Sequence, residues 1–142
     1  MDIVHDLNEF PYPFKDDFAD YIYMLHVLEH LENPYKVLVE CHRILKNEGV
    51  LDIIVPHKNN LSAYDIAHRS YFTEWSLGHL SSKKGDSYSL QKKPLFQEIF
   101  RKVKRVIPTP WGYIPGFKIY GTLGVGIRSE IRWKLKKMGS EK

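Results

Sequence analysis

His26, Glu29 and His30 stand at spacings i, i+3 and i+4, directly behind an apolar and aromatic run from Tyr21 to Leu25. If the chain turns helical there, all three groups lie on one face. Two imidazoles beside a carboxylate can remove a proton, bind an acceptor molecule or ligate a metal ion. The same trio also reads as a Glu–His pair that neutralises a helix start, and the residues alone leave both readings open. The run in front of them has the length and composition of a strand buried on both faces. A buried strand that ends in polar groups is where open α/β sheets place ligands. His57 and His68 either line the same pocket or lie on the surface.

The elements that must position this trio follow from hydrophobic pattern and punctuation. Asp2 to Leu7 reads as a short strand ending near Asp6, and Asn8 to Lys15, with Pro11 and Pro13, as an irregular connection. Asn33-Pro34 is a helix start, with a capping side chain followed by proline at the first helical position. Val37, Leu38, Cys41, Ile44 and Leu45 recur at helical spacing, with Lys36, Glu40 and Arg43 facing outward. Gly49 ends the helix in the left-handed conformation, and a second strand runs from Val50 to Val55, closed by Pro56-His57. Strand, helix, strand is a βαβ unit with parallel strands.

The second half is less sharply written. A helical turn is expected around Ala63 to Ala67, and Thr73 to Ser76 opens a short helix with Trp75, Leu77 and Leu80 partly buried. Ser81 to Lys93 reads as a polar loop, and 108–116 as an extended one. Leu95 to Ile107 suits a helix or a strand equally. Residues 129–137 alternate Ile131, Trp133 and Leu135 against Arg132, Lys134 and Lys136, which is period two and therefore a half-exposed strand. Residues 95–107 and 128–137 are expected to pair antiparallel.

With 142 residues and 43% hydrophobic content, the chain can bury one core and is a single domain on length. One cysteine, Cys41, excludes an internal disulfide and a cysteine-cluster metal site. No signal-like stretch follows Met1, and no apolar run approaches the roughly 18–20 residues of a membrane span. A soluble, cytoplasmic protein with no membrane contact is the expectation. The net charge of +4 is unevenly spread: acidic residues concentrate before Val50, while 92–105 and 128–137 are basic. Such clusters either attract phosphate-bearing partners or form solvated faces. The alternative function is therefore a non-catalytic nucleic-acid- or protein-binding module using the basic C-terminal half.

Residues 2–8 (Asp-Ile-Val-His-Asp-Leu-Asn), 10–14 (Phe-Pro-Tyr-Pro-Phe), Asp20, 26–31 (His-Val-Leu-Glu-His-Leu), Glu40, 42–46 (His-Arg-Ile-Leu-Lys) and 55–57 (Val-Pro-His) are specific as an ensemble. Together they resemble the second half of a class I S-adenosylmethionine-dependent methyltransferase of the type 11 kind. His68 and Tyr71-Phe72-Thr73 resemble the segment that follows the fifth strand in that family. The resemblance covers most of residues 2–80.

The resemblance implies an α/β fold: a partial Rossmann-like methyltransferase sheet, made of the βαβ unit plus a C-terminal antiparallel strand pair, in a single truncated domain over 1–142. Ile3-Val4 would be the third strand, Tyr21–Leu25 the fourth and Val50–Val55 the fifth. By resemblance, Asp6, Leu7 and His26 contact the cofactor, S-adenosylmethionine. His26, Glu29 and His30 face its sulfonium and an unidentified methyl acceptor, and Tyr71, Phe72 and Trp75 form a lid. Asp6 also reads as the cap of the turn into Asn8. Certain ubiquinone-pathway O-methyltransferases similar to this chain carry a Glu-x-x-Glu-His metal site at this place. Here the first of those positions is His26, and no metal is assigned.

The departure from the pattern lies in front of Asp2, where the family has its first strand, its Gly-x-Gly loop and the acid that accepts the ribose hydroxyls. Gly121, Gly124 and Gly126 follow a strand-like run, but their order is wrong for that loop. Weak or absent autonomous cofactor binding is expected. The fourth strand would lie along an edge, covered either by residues 2–7 moved inward or by another strand, in a homodimer or with an N-terminal partner chain.

Overall fold

The computed structural model describes residues 2–82, 94–105 and 128–139. Of the loop expected at 81–93, Ser81–Ser82 pair as a short strand instead, and 83–93 lie outside the described residues, as do the expected loop at 108–116 and the glycine cluster 121–126. The architecture is α/β: a five-stranded sheet in the order β1-β2-β5-β4-β3. Its strands are β1 (Ala19–Leu25), β2 (Leu45–Pro56), β3 (Ser81–Ser82), β4 (Phe96–Arg105) and β5 (Arg128–Lys137). β1 and β2 are parallel, joined by helix α1 (Pro34–Ile44), with Tyr21 opposite Val50 and Leu25 opposite Ile54. β5 pairs antiparallel with both β2 and β4, Trp133 lying opposite Ile53 on one side and Arg101 on the other. The βαβ unit and the terminal antiparallel pair are thus as the pattern predicts, and of the ambiguous 95–107 segment the described residues 96–105 form a strand.

α1 forms where its signals stand. The Asn33 side chain accepts from the Lys36 N–H at 3.0 Å, and Pro34 follows at the first helical position. Val37, Leu38, Cys41 and Ile44 are buried and share one core with Leu51, Ile53 and Val55 of β2 and Ile131, Trp133 and Leu135 of β5. Each fully buried side chain of this size contributes about 1.5–3 kcal/mol, so this single layer carries most of the fold. Burial also pushes the Cys41 thiol up to about 12.

Several expectations are corrected. Residues 2–6 form no strand: Val4 is 99% exposed, and the backbone bonds locally instead, Glu9 N–H donating to the Asp6 carbonyl at 3.0 Å. With no ladder neighbour, an extended segment has nothing to hold it in a sheet. Tyr21 to Leu25 is not buried on both faces. Met24 is buried, whereas Tyr21, Tyr23 and Leu25, on the other face of the sheet, are about half exposed. α1 packs on one face, and the described residues leave the opposite face of β1 open.

β2 begins at Leu45, so the chain passes from helix to strand without a glycine cap. The left-handed residue is Glu48. Gly49 serves a close approach, because a Cβ there would lie 2.8 Å from the Lys46 carbonyl oxygen and 3.2 Å from that of Asp20. Glu40 and Arg43 do not face solvent. The Arg43 guanidinium donates to the Tyr12 and Phe14 carbonyls and to Asp16 and Glu40, strapping the proline-bearing connection onto α1. A 3-10 turn covers Leu61–Tyr64 rather than Ala63 to Ala67, and residues 74–80 are turns rather than a helix. Leu77 and Leu80 are buried as expected, but Trp75 is 72% exposed, under the Arg101 guanidinium.

Candidate functional site

The carboxyl ends of β1 and β2 lie side by side, and the trio stands there. His26 N–H donates to the Ile54 carbonyl at 2.9 Å, the last rung of the parallel ladder. A left-handed backbone at His26 then turns the chain out of the sheet. Leu28–His30 follows as a 3-10 turn, pinned by the fully buried Leu28 and Glu29. The backbone N–H groups of Arg69 and Ser70 donate to the Glu29 carbonyl at 2.8 and 3.2 Å, which ties the 65–70 loop against this turn. His68 therefore meets His30, ring centroids 4.6 Å apart and 73° inclined. Glu130 of β5 enters opposite Pro56. His26, Glu29, His30, Pro56, Ser62, Asp65, His68 and Glu130 together line a cleft of about 460 Å³.

The hydrogen bonds fix the side chains. His26 Nδ1 lies 3.2 Å from Glu29 Oε1 and its Nε2 3.5 Å from Glu130 Oε1, so the ring stands between two carboxylates. Donation from Nδ1 to Glu29 leaves Nε2 as the lone pair at the cleft. His30 Nδ1 donates to the Ala67 carbonyl at 3.2 Å and His68 Nδ1 to the Ala63 carbonyl at 2.9 Å. Glu29 Oε2 is buried and has no hydrogen-bond partner.

A second concavity, about 380 Å³ and almost wholly apolar, runs along β1. Ala19, Tyr21, Ile22, Tyr23 and Met24 all line it, with Leu7, Phe14 and Val27. Successive strand residues point to alternate faces, so a groove that touches them all borders the strand's free edge. The Asp6–Asn8 turn lies close by. Asn8 N–H donates to Asp6 Oδ1 at 2.9 Å, and Asn8 Oδ1 accepts from the Glu32 N–H at 2.9 Å. Asp6 therefore does cap its own turn, and Leu7 sits with Val27 at the groove.

His68 joins the site; His57 does not. His57 is fully buried, bonded through Nε2 to Glu74 at 3.0 Å, and its Nδ1 accepts from the Asn59 N–H. Tyr71, Phe72 and Trp75 do not line the cleft: Tyr71 and Trp75 face outward, and Phe72 is buried. The sequence reading missed Glu130, Asp65 and Ser62. Glu130 belongs to a recognisable strand, but only the register against β2 brings it opposite Pro56.

The basic strands discharge largely into carboxylates. Lys104 pairs with Glu130, Arg132 and Lys134 with Asp52, Lys136 with Glu48 and Lys137 with Asp17. No helix among the described residues is long and apolar enough to cross a membrane.

A methyltransferase-domain family model matches residues 3–53, the stretch that holds α1, the trio and the first two strands. An uncharacterized protein of Methanocaldococcus jannaschii is 44% identical over 54 residues, which are 38% of this chain and 24% of that protein. Two solved structures share the α/β fold seen here. One is a Haloferax volcanii methyltransferase in complex with a methyltransferase activator (TM-score 0.59, 15% identity, 96% of this chain and 61% of that one). The other is an S-adenosylmethionine-dependent methyltransferase from Archaeoglobus fulgidus (TM-score 0.60, 13% identity, 95% of this chain and 66% of that one). The chain thus spans under two thirds of these two solved chains and about a quarter of the curated relative.

Proposed function

We propose that this chain forms the acceptor-side portion of an S-adenosylmethionine-dependent methyltransferase, with the cleft of His26, Glu29 and His30 holding the methyl acceptor. The single observation that carries this reading is His26, set at the ends of two adjacent parallel strands, lining the cleft with Nε2 turned toward Glu130. S-adenosylmethionine, when bound, supplies an electrophilic methyl group. Methyl transfer then needs alignment and, for a protonated acceptor, removal of one proton. Glu29 holds the His26 ring in the tautomer that accepts that proton at Nε2.

The groove residues fit one part of the cofactor. Leu7 and Val27 give a purine an apolar wall, and His26 stands where wall and cleft meet. The groove lining contains no carboxylate for the ribose hydroxyls and no glycine turn. Binding by this chain alone is therefore weak, and another polypeptide or a second copy along the free edge of β1 completes the surface.

Weak binding is read best through methyl and imidazole resonances. Titration with S-adenosylmethionine to about 10 mM, a range that reports even affinities near −3 kcal/mol, shifts the Leu7 and Val27 methyl signals and the His26 ring signals. No shift at that concentration, or shifts scattered over the surface, removes the reading.

A further inference from the structure

The buried, unpartnered Glu29 Oε2 calls for a cation, and the loop tied to Glu29 brings two imidazoles to it. We propose that Glu29, His30 and His68 form a binding site for a divalent transition-metal ion of the Zn²⁺ class, at the floor of the cleft. One donor atom from each of the three lies within 4.8 Å of the others. Glu29 is fully buried, and one carboxylate oxygen is already taken by His26. Leaving the other without a partner costs about 1–3 kcal/mol, more when it is charged. A metal ion bound to that oxygen offsets this cost.

The two histidines are set as ligands usually are. Each gives its Nδ1–H to a backbone carbonyl, Ala67 for His30 and Ala63 for His68, which fixes the tautomer and leaves Nε2 as a free lone pair. His26 plays the same outer part for the carboxylate, holding Glu29 Oε1 and turning Oε2 inward. Two imidazoles and one carboxylate are a donor set that zinc takes at about 2.0–2.2 Å, with a further position left for a small molecule. Such ligands stand about 3.4 Å apart, so the rings must close by about 1 Å. His30 is exposed and His68 rides on a loop, which gives them the freedom to do so. Asp65 and Glu130 also line the cleft and add negative charge around the position.

This ligand set differs from a motif confined to residues 26–30. His26 is not a ligand, and its place is taken by His68, 42 positions further along the chain. Within the proposed function, the ion would sit where an oxygen acceptor is held. That role rests on the methyltransferase reading, whereas binding of the ion does not.

The test is calorimetric titration of Zn²⁺ into the full chain after chelator dialysis, with the visible spectrum of the Co²⁺ form recorded alongside. The expected result is one Zn²⁺ per chain with a dissociation constant of about 1 μM or tighter, and a Co²⁺ spectrum of low coordination number. Glu29→Gln and His68→Ala each weaken binding at least about tenfold, while His79→Ala, an exposed histidine outside the cluster, changes nothing. His68→Ala alters only a surface loop, so it remains informative if Glu29→Gln fails to fold. Absence of saturable one-to-one binding, as when a water molecule satisfies Glu29 Oε2, overturns the proposal, as does binding that neither variant weakens. Zn²⁺ binding without S-adenosylmethionine contacts sinks the methyltransferase reading and leaves the metal site standing. The reverse result sinks the metal site alone.

Discussion

Two titratable residues outside the cleft set how the chain responds to acid. Asp52 is fully buried on β2, accepting from Arg132 Nε at 2.9 Å and Nη2 at 2.6 Å and from the Tyr21 hydroxyl. The Arg132 bonds hold its carboxyl below the ordinary 3.8, against the opposing effect of burial, with help from Tyr21 and Lys134. Its contribution to stability is therefore present above pH 3.8 and is lost as pH falls through the lowered folded-state value. Asp52→Asn should cost about 1–3 kcal/mol at neutral pH, a range kept low because Arg132 is partly screened by solvent. Urea unfolding should show that deficit shrinking as pH falls below 3.8, and a deficit independent of pH would count against the ion pair. His42 acts in a different window. Burial beside the edge of the Phe96 ring, centroids 5.3 Å apart, lowers its folded value below 6.5, so the neutral form is favoured. Stability is full above pH 6.5 and declines as pH falls below it. His42→Leu should flatten the decline that sets in below pH 6.5 without touching the one below pH 3.8, which thermal melts across both ranges would reveal.

At the scale of elements, the connection between residues 8 and 18 is held chiefly by one side chain. Arg43 bonds two backbone carbonyls and two carboxylates at once, which a planar guanidinium can do and an ammonium cannot. Arg43→Lys should cost about 1–2 kcal/mol and loosen 10–17 locally, seen as faster amide exchange in that segment with α1 still protected. This element also shows what was legible beforehand. Asn33-Pro34, the α1 apolar spacing, the β2 run and the period-two pattern of 129–137 depend on local chemistry, and the three elements they specify form there, β2 starting five residues earlier than its apolar run. Arg43 looked like a solvated position because its partners lie about thirty residues upstream, and no periodicity reports a contact of that separation. The β1 run was misread for a related reason. Its composition suits a strand covered on both faces, yet the described chain supplies a cover for only one. In the candidate site, the helical spacing of 26, 29 and 30 was visible. Glu130 and His68 arrive through strand register and a backbone tie to the Glu29 carbonyl, neither of which has a sequence signature.

On the scale of the whole molecule, the sheet formed by the described residues ends in an unpaired strand. β1 is the edge of the five-stranded order, and its residues line an apolar groove with Phe14, Phe18 and Val27. Phe18 is 58% exposed, and Tyr21, Tyr23 and Leu25 are each about half exposed along the same strand. Natural sheets blunt such edges with lysine, proline or a bulge, and the run from Tyr21 to Leu25 carries no charge or proline. Residues 2–6, which could have covered it, lie outside the sheet. In a solution of the purified chain, the available strand is that of a second copy, and antiparallel pairing of two β1 edges would extend one sheet through both. Light scattering behind size exclusion should therefore give a mass above that of the monomer at about 100 μM, falling on dilution. Ile22→Lys puts a charge into the groove without disturbing the Asp52 network on the other face, and should return the chain to monomer with its circular dichroism unchanged. A wild-type chain that stays monomeric at that concentration would mean that the edge is covered within the chain, and that the groove is not where another strand docks.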